Sequence, residues 1–139
     1  MKRLHFKPGH FDFMKEGNEG FEKKINSIHG EEGVYIYSFI EDNEVLAVIC
    51  IEVVHKTFAD ISACISDSVN KHGFGFSRGI KKFADLIMTR SSIKRAQMMV
   101  SCDYSVGVRF ARFLGFETEG VMRNAGSDCK SHYLMARCE

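Results

Sequence analysis

The sequence lacks the features that mark several common classes of protein. Its longest apolar run, residues 45–51, is far shorter than the roughly 18 residues that a membrane helix needs. The amino-terminal stretch MKRLHF has no apolar signal region behind its charges. The only proline is Pro8, and the chain has no proline-rich or serine-rich linker. These absences predict a cytoplasmic protein without a membrane segment.

The charge balance has no strong excess of either sign. Lysine and arginine together number 19 against 18 acidic residues, which leaves a net charge of +1. A near-neutral chain is a poor candidate for a strongly basic nucleic-acid binder, although a local basic patch is compatible with it. The 139 residues and the apolar content of 45% predict one globular domain, residues 1–139, with an ordinary core.

The cysteines show no pairing pattern. The chain has five, an odd number, and no C-x-x-C pair. Cys50, Cys64 and Cys102 lie in strand-like apolar runs, which is typical of reduced, buried thiols. No cysteine or histidine pair has the spacing of zinc ligands, so the sequence predicts no metal site.

The apolar periodicity indicates alternating strands and helices. A short strand is predicted near Leu4, and helices are predicted over residues 10–15, 20–28, 78–90 and 105–114. The clearest β-hairpin spans residues 33–54, with the turn formers Asp42 and Asn43 between its two runs. Further strands are predicted over residues 58–66, 95–102, 116–123 and 129–138. This order predicts an α/β (α+β) domain with a mostly antiparallel meander and one strand–helix–strand crossover.

Two glycines stand just before a basic, amphipathic helix. In NKHGFGFSRGIKKFADLIM, residues 70–88, Gly73 and Gly75 are one residue apart. Glycines at a helix start make either a tight turn or a concave row of N–H groups that holds an anion such as a pyrophosphate. Lys71, His72 and Arg78 add positive charge nearby. The segment is neither a Walker loop nor a full dinucleotide fingerprint.

These residues, in this order, resemble the GNAT acyltransferases, which bind acetyl-CoA. That family carries Q/R-x-x-G-x-G/A between its fourth strand and third helix, and NKHGFG, residues 70–75, is similar with Asn70 in the Gln/Arg place. SVGVRFARFLGFETEGVMR, residues 105–123, resembles the family's fourth helix, its closing L-G-F and its sixth strand. YLMAR, residues 133–137, resembles its last strand. These sequence motifs most resemble those of short GNAT-like proteins of bacteriophages.

The resemblance implies a GNAT-like mixed sheet of about six to seven strands flanked by about four helices. It also implies that the fourth and fifth strands splay to admit the pantetheine arm of acetyl-CoA. Backbone groups near Ile65 would pair with that arm and supply a donor to the thioester carbonyl. The N–H groups of residues 71–77 would hold the pyrophosphate. The implied cofactor-binding residues are Ile65, Asn70, Lys71, His72, Gly73, Phe74, Gly75, Phe76 and Ser77.

The acid–base residues depart from the family pattern. Many members have a tyrosine general acid four residues before the closing glycine, where this chain has Ala111, and an asparagine seven residues earlier, where it has Tyr104. Tyr104, Ser105 or Tyr133 are the alternative proton donors, and Glu52 and Asp60 are the candidate bases. Each also has an ordinary structural or surface interpretation. Phe74 and Phe76 either pack on the ligand or anchor the segment to the core.

Three functions stay open at the level of sequence. The first is an acetyl-CoA-dependent N-acetyltransferase that acts on an amine of a small molecule or a protein, in the cytoplasm, or in the host cytoplasm if a bacteriophage encodes it. The second is a GNAT-like binding or structural module that has lost catalysis, associated with the virion if a bacteriophage encodes it. The third is a small nucleic-acid-binding domain, against which the near-neutral charge argues. Members of the family often dimerise, so a homodimer is a possible partner state.

Overall fold

The computed structural model describes residues 2–5 and 19–139. The strands are β1 (Lys2–His5), β2 (Val34–Glu41), β3 (Glu44–His55), β4 (Phe58–Ile65), β5 (Arg95–Ser101), β6 (Glu117–Met122) and β7 (His132–Cys138). The helices are α1 (Glu19–Ile28), α2 (Gly73–Arg90) and α3 (Ser105–Phe113), with a 3-10 helix over Asp67–Lys71. The helix predicted over residues 10–15 lies outside the described residues.

The strands form one mixed, mostly antiparallel sheet. Its order is β1-β2-β3-β4-β5-β7-β6. Antiparallel pairing joins β1 to β2, β2 to β3, β5 to β7 and β6 to β7, whereas β4 and β5 pair in parallel through Phe58–Asp60 and Arg95–Gln97. The predicted fold class is therefore confirmed. Helix α2 makes the crossover between the two parallel strands, as the sequence predicted.

The chain forms two compact units. Of the described residues, the first unit contains 2–5, 19–53 and 61–79, and the second contains 54–60 and 80–139. Strands β3 and β4 and helix α2 contribute residues to both units. The single domain expected from the chain length stays a prediction.

The first unit is built on the predicted hairpin. Strands β2 and β3 meet at Asp42 and Asn43, whose φ angles of 51° and 60° are positive, a conformation that Asn and Asp tolerate better than other side chains do. Every residue from Val45 to Ile51 is buried, as in a strand that is covered on both faces of the sheet. Helix α1 packs on the core cluster with the fully buried Ile25.

In the second unit, Arg137 of β7 connects helices α2 and α3 to the sheet through hydrogen bonds. Its Nη1 donates to Asp85 Oδ1 of α2 over 2.8 Å and to the Leu114 carbonyl oxygen at the end of α3 over 2.9 Å. Gly115 follows with φ +94°, and a Cβ there would lie 3.2 Å from Arg137 Cδ. The glycine after the predicted helix therefore caps α3 and also leaves room for the arginine.

Candidate functional site

The glycine segment forms the first turn of α2. Strand β4 ends at Ile65, and α2 begins at Gly73, whose φ is +45°. The N–H of Gly75 donates to the carbonyl oxygen of His72 over 3.2 Å. The glycines thus lie inside the first turn, whereas the sequence placed them before the helix. The N–H groups of a first turn have no acceptors within their helix and form the positive end of its dipole.

The space beside both glycines is open. A Cβ atom built on Gly73 or on Gly75 would meet none of the described atoms within 4 Å, apart from its neighbours along the chain and helix. The positive φ favours glycine at position 73, whereas Gly75 has no such restriction. The first turn carries no acidic side chain, and the nearby Lys71 and Arg78 are exposed. Anion binding by this turn stays a prediction.

His72 is engaged with two carboxylates. Its Nδ1 lies 3.0 Å from Glu41 Oε2 and its Nε2 lies 3.8 Å from Glu44 Oε2, and only 13% of its side chain is exposed. The two glutamates flank the turn of the β2–β3 hairpin. The imidazole therefore connects that hairpin to the residue just before the glycine turn. The imidazole that the sequence assigned to an incoming anion therefore already faces these carboxylates.

The two phenylalanines of the segment have opposite environments. Phe76 is 4% exposed and belongs to the core, whereas Phe74 is 85% exposed. Asn70 is also exposed, and Ser77 is half-buried. Of the two aromatic rings, only that of Phe74 is presented to a ligand at the surface.

The backbone around Ile65 offers fewer donors than the sequence suggested. The N–H of Ser66 donates to the Leu46 carbonyl oxygen over 2.8 Å, and Ser66 is 4% exposed. That donor is therefore committed to the sheet. An N–H of Ile65 or of a residue earlier in β4 as the donor to the thioester carbonyl stays a prediction.

The two candidate bases lie on neighbouring strands. Glu52 is opposite Val34 in the β2–β3 ladder, and its Oε1 lies 2.6 Å from Lys24 Nζ of α1. Asp60 is opposite Gln97 in the parallel β4–β5 pairing and is half-buried. Glu52 belongs to the first unit and Asp60 to the second. A base role for either stays a prediction.

The candidate proton donors Tyr104 and Ser105 lie at the start of α3. Tyr104 is the N-cap residue, with 53% of its surface exposed, and Ser105 is the exposed first residue of the helix. The alternative donor Tyr133 is half-buried on β7. Ala111, which occupies the family's usual acid place, is 2% exposed and packs in the core.

The thiols do not supply a nucleophile from the core. Burial, with a smaller effect of Glu52, raises the pKa of the Cys50 thiol to about 11, and burial raises that of Cys64 to about 11. All five cysteines are free, and Cys129 and Cys138 are exposed. A thiol with so high a pKa is protonated at neutral pH and is a poor nucleophile.

The described part of the chain has neither a metal-binding cluster nor a helix able to span a membrane. Residues 2–5 and 19–139 hold no group of three or more His, Cys, Asp or Glu side chains able to bind a metal ion. Within the same residues, no helix is long and apolar enough to cross a bilayer.

Sequence reasoning missed two features of the site. It did not pair His72 with Glu41 and Glu44, because no local signal relates residues so far apart along the chain. It also did not predict that the ring of Tyr104 lies against Gly107. The spacing indicates this contact, because residues three apart on a helix are neighbours and Gly107 follows Tyr104 by three positions.

Comparisons with known proteins show which fold this is. No protein-family model and no curated protein sequence matches the chain. Among solved structures, Ard1 from Thermoplasma volcanium is similar at a TM-score of 0.76 and 19% identity, over 99% of this chain and 96% of that one. A variant of the spermidine N-acetyltransferase SpeG from Vibrio cholerae is similar at 0.74 and 12% identity, over 99% and 95% of the two chains. A GNAT acetyltransferase from Streptococcus pneumoniae is similar at 0.70 and 15% identity, over 99% and 98%.

Proposed function

We propose, from the GNAT fold that these comparisons establish, that the chain is an N-acetyltransferase using acetyl-CoA. One observation carries the proposal: the first turn of α2 is an open glycine turn at the point where the resemblance expects the pyrophosphate. Bound acetyl-CoA would supply an acetyl thioester whose carbonyl carbon accepts an amine directly. The chain would hold the cofactor, orient the amine and move the protons.

The residues of the glycine turn fit a pyrophosphate. We assign its binding to the N–H groups of residues 71–77 other than those of His72 and Gly75, which already donate to the carbonyl oxygens of Val69 and His72. The helix dipole and open space coincide there. Because His72 already faces Glu41, we assign the offsetting charge to Lys71 and Arg78. His72 then acts as a support that fixes the chain before the turn.

Proton transfer needs a base for the incoming amine and an acid for the leaving thiolate. We propose Asp60 ahead of Glu52 as the base, because an oxygen of Glu52 is already engaged by Lys24 at 2.6 Å. We propose Tyr104 ahead of Ser105 as the acid, because a phenol gives up its proton more readily than an alcohol. The family's own acid place is filled by the core residue Ala111 and cannot serve.

The acceptor is an amine of a small molecule or of a protein. The similar structure from Vibrio cholerae is a spermidine N-acetyltransferase, so spermidine is the first small amine to test. We also propose that the reaction takes place in the cytoplasm, in the host cytoplasm if a bacteriophage encodes the chain, and that the working form is a homodimer.

The test is an acetyl-transfer assay with variants of one glycine. The chain is incubated with acetyl-CoA and spermidine, or with a peptide bearing a free α-amine and a lysine, and products are detected by mass spectrometry. We expect acetylated product from wild type and none from Gly75→Glu, whose carboxylate would repel the pyrophosphate. Glutamate in a first helical turn suits the dipole, so this variant keeps its fold.

Two further variants separate charge from size and from general damage. Gly75→Gln adds the same bulk without charge and should lose less activity than Gly75→Glu. Gly20→Glu changes another glycine with open space, in α1, and should match wild type. Full activity of Gly75→Glu would show that the turn does not bind the cofactor.

The second candidate function is a GNAT-like module without turnover. The burial of Ala111 at the usual acid place favours it, because no side chain there can donate a proton. That reading expects no product with any amine. Binding of acetyl-CoA without transfer would select it over the enzyme.

A further inference from the structure

The ring of Tyr104 lies against the first turn of the helix that it caps. A Cβ atom built on Gly107 would lie 2.3 Å from Tyr104 Cδ1 and 2.5 Å from Cε1. Real Cβ atoms do not approach other atoms this closely, so the ring occupies the place where any other residue at position 107 would put its side chain. The phenol ring thus lies directly against the glycine.

The backbone of Tyr104 is also fixed from both sides. Its N–H donates to the Ser101 carbonyl oxygen over 3.0 Å, and its own carbonyl accepts from the Val108 N–H over 3.1 Å. Its side chain makes no capping hydrogen bond. The backbone bonds fix the point from which the side chain extends, and the ring lies against Gly107 while 53% of the residue stays exposed. The result is a solvent-accessible phenol that packs on the glycine.

A glycine at this position is unfavourable for the helix itself. Glycine inside a helix lowers stability relative to alanine, and Gly107 has no left-handed φ that would require it. The backbone conformation at position 107 does not require glycine, but the Tyr104 ring leaves no room for a side chain there.

We propose that Gly107 is a positioning residue that seats the Tyr104 phenol for proton transfer. The inference rests on the proposed acetyltransferase function. In that reaction the amine nitrogen forms a bond to the acyl carbon, and the carbon–sulfur bond breaks. Tyr104 Oη gives its proton to the departing sulfur. The phenolate recovers a proton from water, and the base passes the proton of the amine to water, so atoms and charge balance.

Ring placement is tested without any cofactor. An aromatic ring lying against a glycine displaces the Hα resonances of that glycine in the proton NMR spectrum through its ring current. We expect Gly107 Hα resonances displaced from ordinary values in wild type and in Tyr104→Phe, and near ordinary values in Tyr104→Leu. Identical Gly107 shifts in all three proteins would show that the ring does not lie there.

The positioning role is tested by substitutions with opposite effects on stability and rate. Gly107→Ala should keep or slightly raise the thermal midpoint, because alanine favours the helix and the exposed ring can turn away. It should lower kcat about tenfold or more with KM for acetyl-CoA within about twofold, and Tyr104→Phe should lower kcat about a hundredfold. The control Gly120→Ala, a glycine with open space in the same unit, should behave as wild type.

The double variant separates positioning from packing. Once the hydroxyl is removed by Tyr104→Phe, adding Gly107→Ala should cost no further kcat. An equal, independent loss in the double variant would overturn the proposal, as would unchanged kcat in Gly107→Ala. If wild type acetylates no amine, the proposed function fails and the proton-donor role fails with it, while the NMR shifts still decide where the ring lies.

Discussion

Replacing Arg137 by methionine tests the account of the second unit most severely. Methionine keeps an unbranched apolar side chain in place of the arginine stem but removes the guanidinium, whose side chain is 15% exposed. Two bonds from Nη1 are lost, one to Asp85 and one to the Leu114 carbonyl. The end of α3 and the middle of α2 would then lose their common attachment to β7.

The magnitude follows from how exposed each partner is. The Asp85 side chain is 42% exposed, so that pair contributes at the scale of a surface ion pair, about 0–1 kcal/mol. Leu114 is 7% exposed, and losing a charged donor to its carbonyl costs about 1.5–3 kcal/mol. We expect Arg137→Met to lower the free energy of unfolding by about 3 kcal/mol, or the thermal midpoint by roughly 10 °C.

Urea unfolding followed by circular dichroism measures this difference. Arg109→Met, on the exposed side of α3, is the matched control and should stay within about 0.5 kcal/mol of wild type. Equal unfolding free energies of the Arg137 and Arg109 variants would refute the reasoning, because they would mean that the hydrogen bonds of the Arg137 guanidinium do not stabilise the fold.

Three further predictions concern single residues. Phe76→Ala should cost about 3–5 kcal/mol of stability, whereas Phe74→Ala should cost almost none and instead weaken acetyl-CoA binding, as titration calorimetry would show. The hydrogen bond from Arg137 lowers the pKa of the Asp85 carboxyl. We therefore expect wild type to be more stable than Asp85→Asn above pH of about 4, and the difference in unfolding free energy to shrink as the pH falls through the lowered pKa. At neutral pH, iodoacetamide mapped by mass spectrometry should label exposed Cys129 quickly and buried Cys50 only on unfolding.

Local patterns predicted most of the described fold. The alternation and apolar runs around Asp42 and Asn43 gave the hairpin, and Gly115 marked the end of α3 because a left-handed residue there favours glycine. These features depend on neighbours along the chain, which is why a single sequence can reveal them. The start of α2 was less accurate, since Gly73 and Gly75 belong to the helix and not to a preceding loop.

Other features depend on contacts that the sequence does not encode locally. The shift of the helix start explains Phe74 and Phe76, because residues two apart on a helix point to different sides and one is exposed while the other is buried. The pairing of His72 with Glu41 joins a hairpin turn to a distant helix and has no sequence signature. The contact of the Tyr104 ring with Gly107 could have been predicted from the sequence, since the two residues are three apart at the start of a helix.

The most direct test of the central claim is the thermal midpoint of the chain with and without millimolar acetyl-CoA, with ATP as the control anion. A ligand present at 100 times its dissociation constant stabilises the native state by about 2.7 kcal/mol, a shift of several degrees. The account predicts this shift with acetyl-CoA, little with ATP, and none with acetyl-CoA in Gly75→Glu. No shift of wild type with acetyl-CoA, or an equal shift with ATP, would contradict a cofactor site at the first turn of α2.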